Sequence, residues 1–132
     1  MNVQVTFKTD FFQPLLHEEY STNPECFGLA LAQWLKQQLQ QHGIPSEPLI
    51  AEDFGWVIML ARQPAMLWLG CGNIEGSTTE WTIFLVSEKT LLQRFQQLFK
   101  KQSTNPNFQT LWQQVQEIVV TIPAVQHIEW IK

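Results

Sequence analysis

Phe54-Gly55-Trp56-Val57-Ile58-Met59-Leu60-Ala61-Arg62, then Ala65-Met66-Leu67-Trp68-Leu69-Gly70-Cys71, then Glu80-Trp81-Thr82-Ile83-Phe84-Leu85-Val86 are the segments whose reading decides the fold. Each is a short run of large apolar and β-branched residues, the composition of a strand rather than of a turn. Gln63-Pro64 separates the first two. Gly70-Cys71-Gly72-Asn73 and Glu75-Gly76-Ser77 read as a Gly-rich turn region before the third. Connections this short predict an antiparallel meander. Within every strand, apolar residues occupy both alternating sets: Trp56, Ile58 and Leu60 against Val57, Met59 and Ala61, for example. A sheet with one face in water alternates apolar and polar residues instead. The meander is therefore covered by helices on both faces, or it is covered on one and offers the other to a partner.

Outward from the meander, Val3, Val5 and Phe7 alternate with Gln4, Thr6 and Lys8, the two-residue period of a strand. Asn23-Pro24-Glu25 carries helix-start chemistry, with a capping side chain, a proline in the first turn and an acid at the positive end of the dipole. Cys26, Phe27, Ala30, Leu31, Trp34, Leu35 and Leu39 follow at helical spacing. Gly43 supplies the stop, and Ile44 stands where a Schellman cap places its apolar contact. Pro45 to Asp53 connects, with a short extended segment at Leu49-Ile50.

After the meander, Ser87 and Glu88 read as the cap and first turn of a second helix striped by Leu91, Leu92, Phe95, Leu98 and Phe99. Lys100-Lys101 would close it, cations at the negative end of the dipole. Asn105-Pro106 opens a third helix with Phe108, Leu111, Trp112, Val115, Ile118 and Val119 inward. Pro123 ends it, and Val125 to Ile131 is a last short strand or an apolar tail. Residues 1–132 thus form a single α+β domain: an antiparallel sheet, built from the three-strand meander plus the N-terminal strand and the strand or tail at the C-terminus, packed with three helices.

Composition narrows the function classes. The 132 residues are 45% hydrophobic and only 15% charged, with seventeen glutamines filling polar positions, six Trp and nine Phe. That apolar content excludes intrinsic disorder. The net charge is −4, and the only adjacent basic pair is Lys100-Lys101, so the basic stripe of a nucleic-acid binder is missing. The N-terminus lacks signal-peptide character, and the longest strongly apolar run, Phe54 to Ala61, is too short to cross a bilayer. A soluble cytoplasmic protein with free thiols is expected, bound to no membrane. Cys26 and Cys71 with His17, His42 and His127 show no metal-ligand spacing, and no phosphate-binding loop or nucleophile elbow is present, so neither metal nor cofactor is expected.

Three features carry chemistry. Glu52 and Asp53 precede a strand and form an acidic pair at a pocket mouth, or simply a turn. Strand neighbours point to opposite faces, which argues against joint catalysis. Cys71 between Gly70 and Gly72 is either a nucleophile or a small core filler before a turn, and no histidine base is near it in sequence. Trp56, Trp68 and Trp81, one on each meander strand, would form an aromatic row for binding if they align, or a bulky core if they do not. Trp34 and Trp112 belong to helix stripes, and Trp130 is the tryptophan expected at the surface.

Glu52-Asp53-Phe54-Gly55-Trp56, Gly70-Cys71-Gly72-Asn73 and Glu80-Trp81 together resemble segments of small uncharacterised bacterial α+β proteins. Some proteins of that kind neutralise a toxin encoded beside them. The resemblance covers the middle third of the chain and implies no catalytic residue. The expected function is a non-enzymatic protein-interaction module of immunity or adaptor type, with another protein or a second copy of itself as partner. The alternative is a small-molecule-binding domain or minor enzyme with a pocket near Trp56 and Cys71. Glu52, Asp53, Trp56, Trp68, Cys71 and Trp81 are the candidate binding residues, and none is assigned a catalytic role.

Overall fold

A computed structural model describes residues 2–12, 27–62, 65–89 and 106–131. The order is β1 (Asn2–Lys8), α1 (Leu29–Gln41), β2 (Ile50–Glu52), β3 (Gly55–Ala61), β4 (Ala65–Asn73), β5 (Glu80–Lys89), α2 (Pro106–Val119) and β6 (Gln126–Ile131). The strands make one sheet in the order β2-β3-β4-β5-β1-β6, with every neighbouring pair antiparallel. The meander and the N-terminal strand are as the sequence predicts, and the C-terminal segment is a strand.

The three-helix, four- or five-strand arrangement needs correction. The sheet has six strands, because the short extended segment near Leu49-Ile50 pairs with β3 as β2. Two helices occur among the described residues, not three. Ser87 and Glu88, read as a helix start, are strand residues: Ser87 lies opposite Leu67 and Glu88 opposite Met66. Ladder pairing with β4 outweighs a local capping preference there. The stripe from Leu91 to Phe99 lies outside the described residues. So does Asn23-Pro24-Glu25, but Phe27 and Gly28 are not helical and α1 begins only at Leu29, later than the Asn-Pro signal implies.

The C-terminus of α1 is a Schellman motif. The Ile44 amide donates to the Leu39 carbonyl (2.9 Å) and the Gly43 amide to that of Gln40 (3.0 Å). Gly43 takes φ 79°, the left-handed conformation this cap needs and glycine adopts without strain. Along α2, the inward stripe of Phe108, Leu111, Trp112, Val115, Ile118 and Val119 is buried throughout.

Both helices pack on the same face of the sheet. Leu31, Ala32, Leu35 and Leu39 of α1 and the α2 stripe form one core with Val5, Phe7, Trp56, Ile58, Leu67, Leu69, Cys71, Trp81, Ile83 and Leu85. Each inward side chain of this kind contributes ~1.5–3 kcal/mol by leaving water. One polar side chain is sealed into this layer: Thr9 Oγ1 donates to the Pro123 carbonyl (2.7 Å) and accepts from the Phe11 amide (3.1 Å). The Trp81 Nε1–H donates to the Thr9 carbonyl (3.1 Å), so the end of β1, the chain between α2 and β6, and the core tryptophan are tied together. β6 carries a bulge opposite β1 between Thr6 and Lys8, with His127 at φ 53°.

Candidate functional site

Alternation sends the remaining residues of β2–β5 to the other face. Registration places Ile50 opposite Val57, Val57 opposite Gly70, and Gly70 opposite Phe84. The next row on that face runs from Met59 to Trp68 to Val86, and the next pairs Met66 with Glu88. On β1 and β6 the same face is mostly polar, with Gln4, Thr6 and Glu129 among its residues and the exposed Ile131 opposite Gln4. Gln4 Nε2 donates to Thr82 Oγ1 across the strands (2.9 Å). The second face is thus apolar over one half of the sheet and mostly polar over the other, and among the described residues no helix lies on it.

Three aromatic rings organise the apolar half. Phe54 and Trp68 stack at 6.3 Å, Phe54 and Phe84 meet at 5.1 Å, and Trp68 and Phe84 meet edge-on at 5.8 Å. The Phe84 ring lies directly over Gly70, so close that a Cβ there would collide with it. Gly70 and Gly72 are therefore strand residues of β4, and the expectation of a turn at Gly70-Cys71-Gly72-Asn73 is corrected: the turn lies beyond Asn73. Gly70 makes room for a ring arriving from the next strand. That demand is long-range and leaves no local mark different from that of a turn glycine.

Beside the aromatic cluster lies a cleft of about 320 Å³ lined by Ile50, Glu52, Phe54, Val57, Met59, Met66, Trp68 and Glu88. Val57 and Met59 are 5% and 7% exposed, while Met66 and Trp68 stay partly open to solvent. Two thioethers give part of the lining an adaptable surface. The carboxylates of Glu52 and Glu88 are exposed, and neither has an ion-pair partner among the described residues. Arg62 is engaged elsewhere: its Nε and Nη2 donate to the two carboxylate oxygens of Glu47 at 2.8 and 2.9 Å. That hydrogen-bonded pairing lowers the Glu47 pKa and raises that of Arg62.

The candidate residues divide between the faces. Trp56, Cys71 and Trp81 point toward the helices and are buried in the core. Trp56 sits opposite Cys71, and Cys71 opposite Ile83, whereas Trp68 projects to the other side, so no row of three tryptophans runs across the sheet. The Cys71 thiol is free and wholly buried, and that burial pushes its pKa far up. A thiol held protonated inside a core is a filler, not a nucleophile. Glu52 lines the cleft, and Asp53 is exposed in the turn between β2 and β3. Trp130 is 42% exposed, as the sequence implies, and meets Trp112 edge-on at 6.2 Å.

Sequence reasoning missed Glu88, Met59, Met66 and Phe84. Reading Ser87-Glu88 as a helix start hid the strand that carries Glu88 to the cleft. Among the described residues no group of acidic, histidine or cysteine side chains is arranged to hold a metal ion, and no helix is long and apolar enough to cross a membrane. Compared with known proteins, the sequence matches no family model and no curated protein, and no solved structure matches the chain.

Proposed function

We propose that this protein is a non-enzymatic protein-interaction module whose contact surface is the apolar half of the second sheet face, centred on the cleft beside Trp68. The observation that carries this reading is the pairing of two faces with different fates: one sealed by α1 and α2, the other apolar across β2–β5 and hollowed by the cleft. Among the described residues no helix covers that face, and Met66 and Trp68 stay partly open to solvent, a kind of apolar surface that monomeric proteins seldom leave without something to bind it. An aromatic anchor ringed by adaptable methionines is the composition of an interface centre. Some small bacterial α+β proteins of the same general kind as the uncharacterised ones this chain resembles neutralise a toxin, and by that analogy an immunity- or adaptor-type role is the form this module would take.

The test is retention of a partner by the tagged full chain from its native cells, compared with Met66→Lys, which sets a charge in the cleft, and Glu117→Lys, on an exposed position of α2. A stoichiometric partner held by the wild type and by Glu117→Lys but lost by a folded Met66→Lys supports the proposal. A partner insensitive to Met66→Lys, or no partner, overturns it.

A second reading has one observation in its favour. At about 320 Å³, the cleft lies at the lower end of the size of small-ligand sites. The alternative of a ligand-binding domain therefore moves from Trp56 and Cys71 to Trp68 and Met66. A small molecule that shifts the resonances of the cleft methionine methyls while no protein partner is retained would establish it.

A further inference from the structure

The two edges of the sheet are built differently. At one end β2 is three residues long and stops at the exposed Glu52, a short, charged edge of the kind that discourages pairing. At the other end β6 runs for six residues, Gln126-His127-Ile128-Glu129-Trp130-Ile131, with no proline, lysine or arginine. It pairs with β1 on one side, and among the described residues no strand pairs with its other side. Alternate backbone N–H and C=O groups of β6 therefore face outward. Trp130 lies opposite Val5 and takes the helix face, Ile131 lies opposite Gln4 and takes the second face, and they are 42% and 43% exposed. The open edge is thus apolar on both sides of the sheet. The bulge that blunts it, with His127 at φ 53°, sits toward the start of the strand and leaves Glu129 to Ile131 in regular register with β1.

We propose that β6 pairs with β6 of a second copy of this chain, antiparallel about a two-fold axis through Trp130, so that two sheets join into one. The edge is self-complementary in this register. About a two-fold axis normal to the sheet, residues that oppose each other belong to the same face, so the axis passes through a residue and not between two. Through Glu129 it would set two carboxylates directly opposite, which is repulsive. Through Ile128 it would draw the bulged His127 into the new ladder. Through Trp130 it pairs the two indoles on the helix face, each backed by its own Trp112 at 6.2 Å. On the second face it sets Glu129 against Ile131 of the second copy and brings the two Ile131 side chains onto the diagonal. Both half-exposed apolar side chains are covered in one step, and the outward backbone groups gain partners. A contact this small makes a weak, reversible dimer. It lies at the opposite end of the sheet from the cleft and stands independently of the proposed contact surface.

The test is the mass of the full chain by sedimentation from about 1 μM to about 1 mM, for the wild type, Trp130→Lys and Ile131→Lys. The wild-type mass is expected to rise toward that of a dimer, and both variants are expected to stay monomeric. Ile131 lies on the face away from Trp112, so Ile131→Lys keeps the test valid if Trp130→Lys weakens the fold. A wild type that stays monomeric throughout, or an association that survives Ile131→Lys, overturns the proposal. The register is read from nitroxides attached at Gln126→Cys in a Cys26→Ser background, Cys71 being buried. Pairing about Trp130 sets the two backbone positions about 25 Å apart along the strands, and pairing about Ile128 about 13 Å. The shorter distance overturns the pairing about Trp130.

Discussion

The contact between Gly70 and the Phe84 ring gives the sharpest test of how the second face is built. A Cβ at position 70 would overlap the outer edge of the Phe84 ring, at Cζ and both Cε atoms, so Gly70→Ala must push the ring away. The backbone of Gly70 itself does not require glycine, because its φ lies outside the left-handed region. The whole penalty is therefore steric and resides in the partner. Phe84 is held by Phe54 and Trp68, so moving it loosens two aromatic contacts. Overpacking of this kind costs about 1–3 kcal/mol, and each disturbed aromatic pair is worth about 0.5–1.5 kcal/mol. With partial relaxation toward the open face, Gly70→Ala is expected to destabilise by about 2 kcal/mol. At about 4 °C per kcal/mol for a chain of this length, Tm falls by roughly 8 °C.

The sign should reverse once the ring is gone. In a Phe84→Ala background, Gly70→Ala no longer meets anything large, and alanine in a strand is favoured over glycine by about 0.5–1 kcal/mol. The double-mutant cycle, measured by urea denaturation with a shared m-value, should therefore show a coupling of about 2–3 kcal/mol. A neutral Gly70→Ala, or a penalty that survives removal of Phe84, would refute the placement of the aromatic cluster over β4.

Further outcomes follow from the core side. Thr9→Val should cost about 1–3 kcal/mol by orphaning the Pro123 carbonyl and the Phe11 amide, with Thr9→Ser much milder, as read by thermal melts. Gly55→Ala, at φ 150° and with its Cβ driven against the Cys71 carbonyl, should cost far more than Gly43→Ala, where nothing stands near and only the left-handed backbone objects, at about 1 kcal/mol. Cys71 should resist alkylation until the protein unfolds. Because its folded pKa is raised, the unfolded thiol ionises first, above about 8.5, so native stability falls with rising pH from there upward. The fall relative to Cys71→Ala should approach 1.4 kcal/mol per pH unit above about pH 9.5, measured by urea denaturation across pH. A variant with the same pH profile as the wild type would show that Cys71 is not buried.

What was legible in the sequence was local. The stripe from Phe108 to Val119 repeats at helical spacing, and Gly43-Ile44 carries a complete stop signal, so both helix assignments rest on neighbours in the chain. The alternation of Val3, Val5 and Phe7 is equally local, and β1 forms over those residues. Pairing is what the sequence does not display. That β1 lies between β5 and β6, and that β2 forms the far edge, depends on contacts between residues distant along the chain.

The candidate site was half legible for the same reason. Trp56, Trp68 and Trp81 each stand in an obvious strand, but which face each takes depends on register, and Trp68 is out of phase with the other two. Gly70 and Gly72 mimic turn glycines because a close approach from another strand imposes the same residue as a turn does. Ser87-Glu88 mimics a helix cap, and only the ladder with Leu67 and Met66 decides otherwise. The meander is apolar on both faces, as its sequence implies, but which of the two outcomes follows, helices over both faces or over one, turns on more than the described helices, both of which lie on one face.

Site-specific photo-crosslinking in the native cells would settle where a partner binds. A benzophenone amino acid replaces Met66 in one strain and Glu117 in another, placing the probe in the cleft or on the solvent side of α2. A discrete crosslinked protein is expected from position 66 and none from position 117. A product from position 117 alone, or from neither, would contradict it.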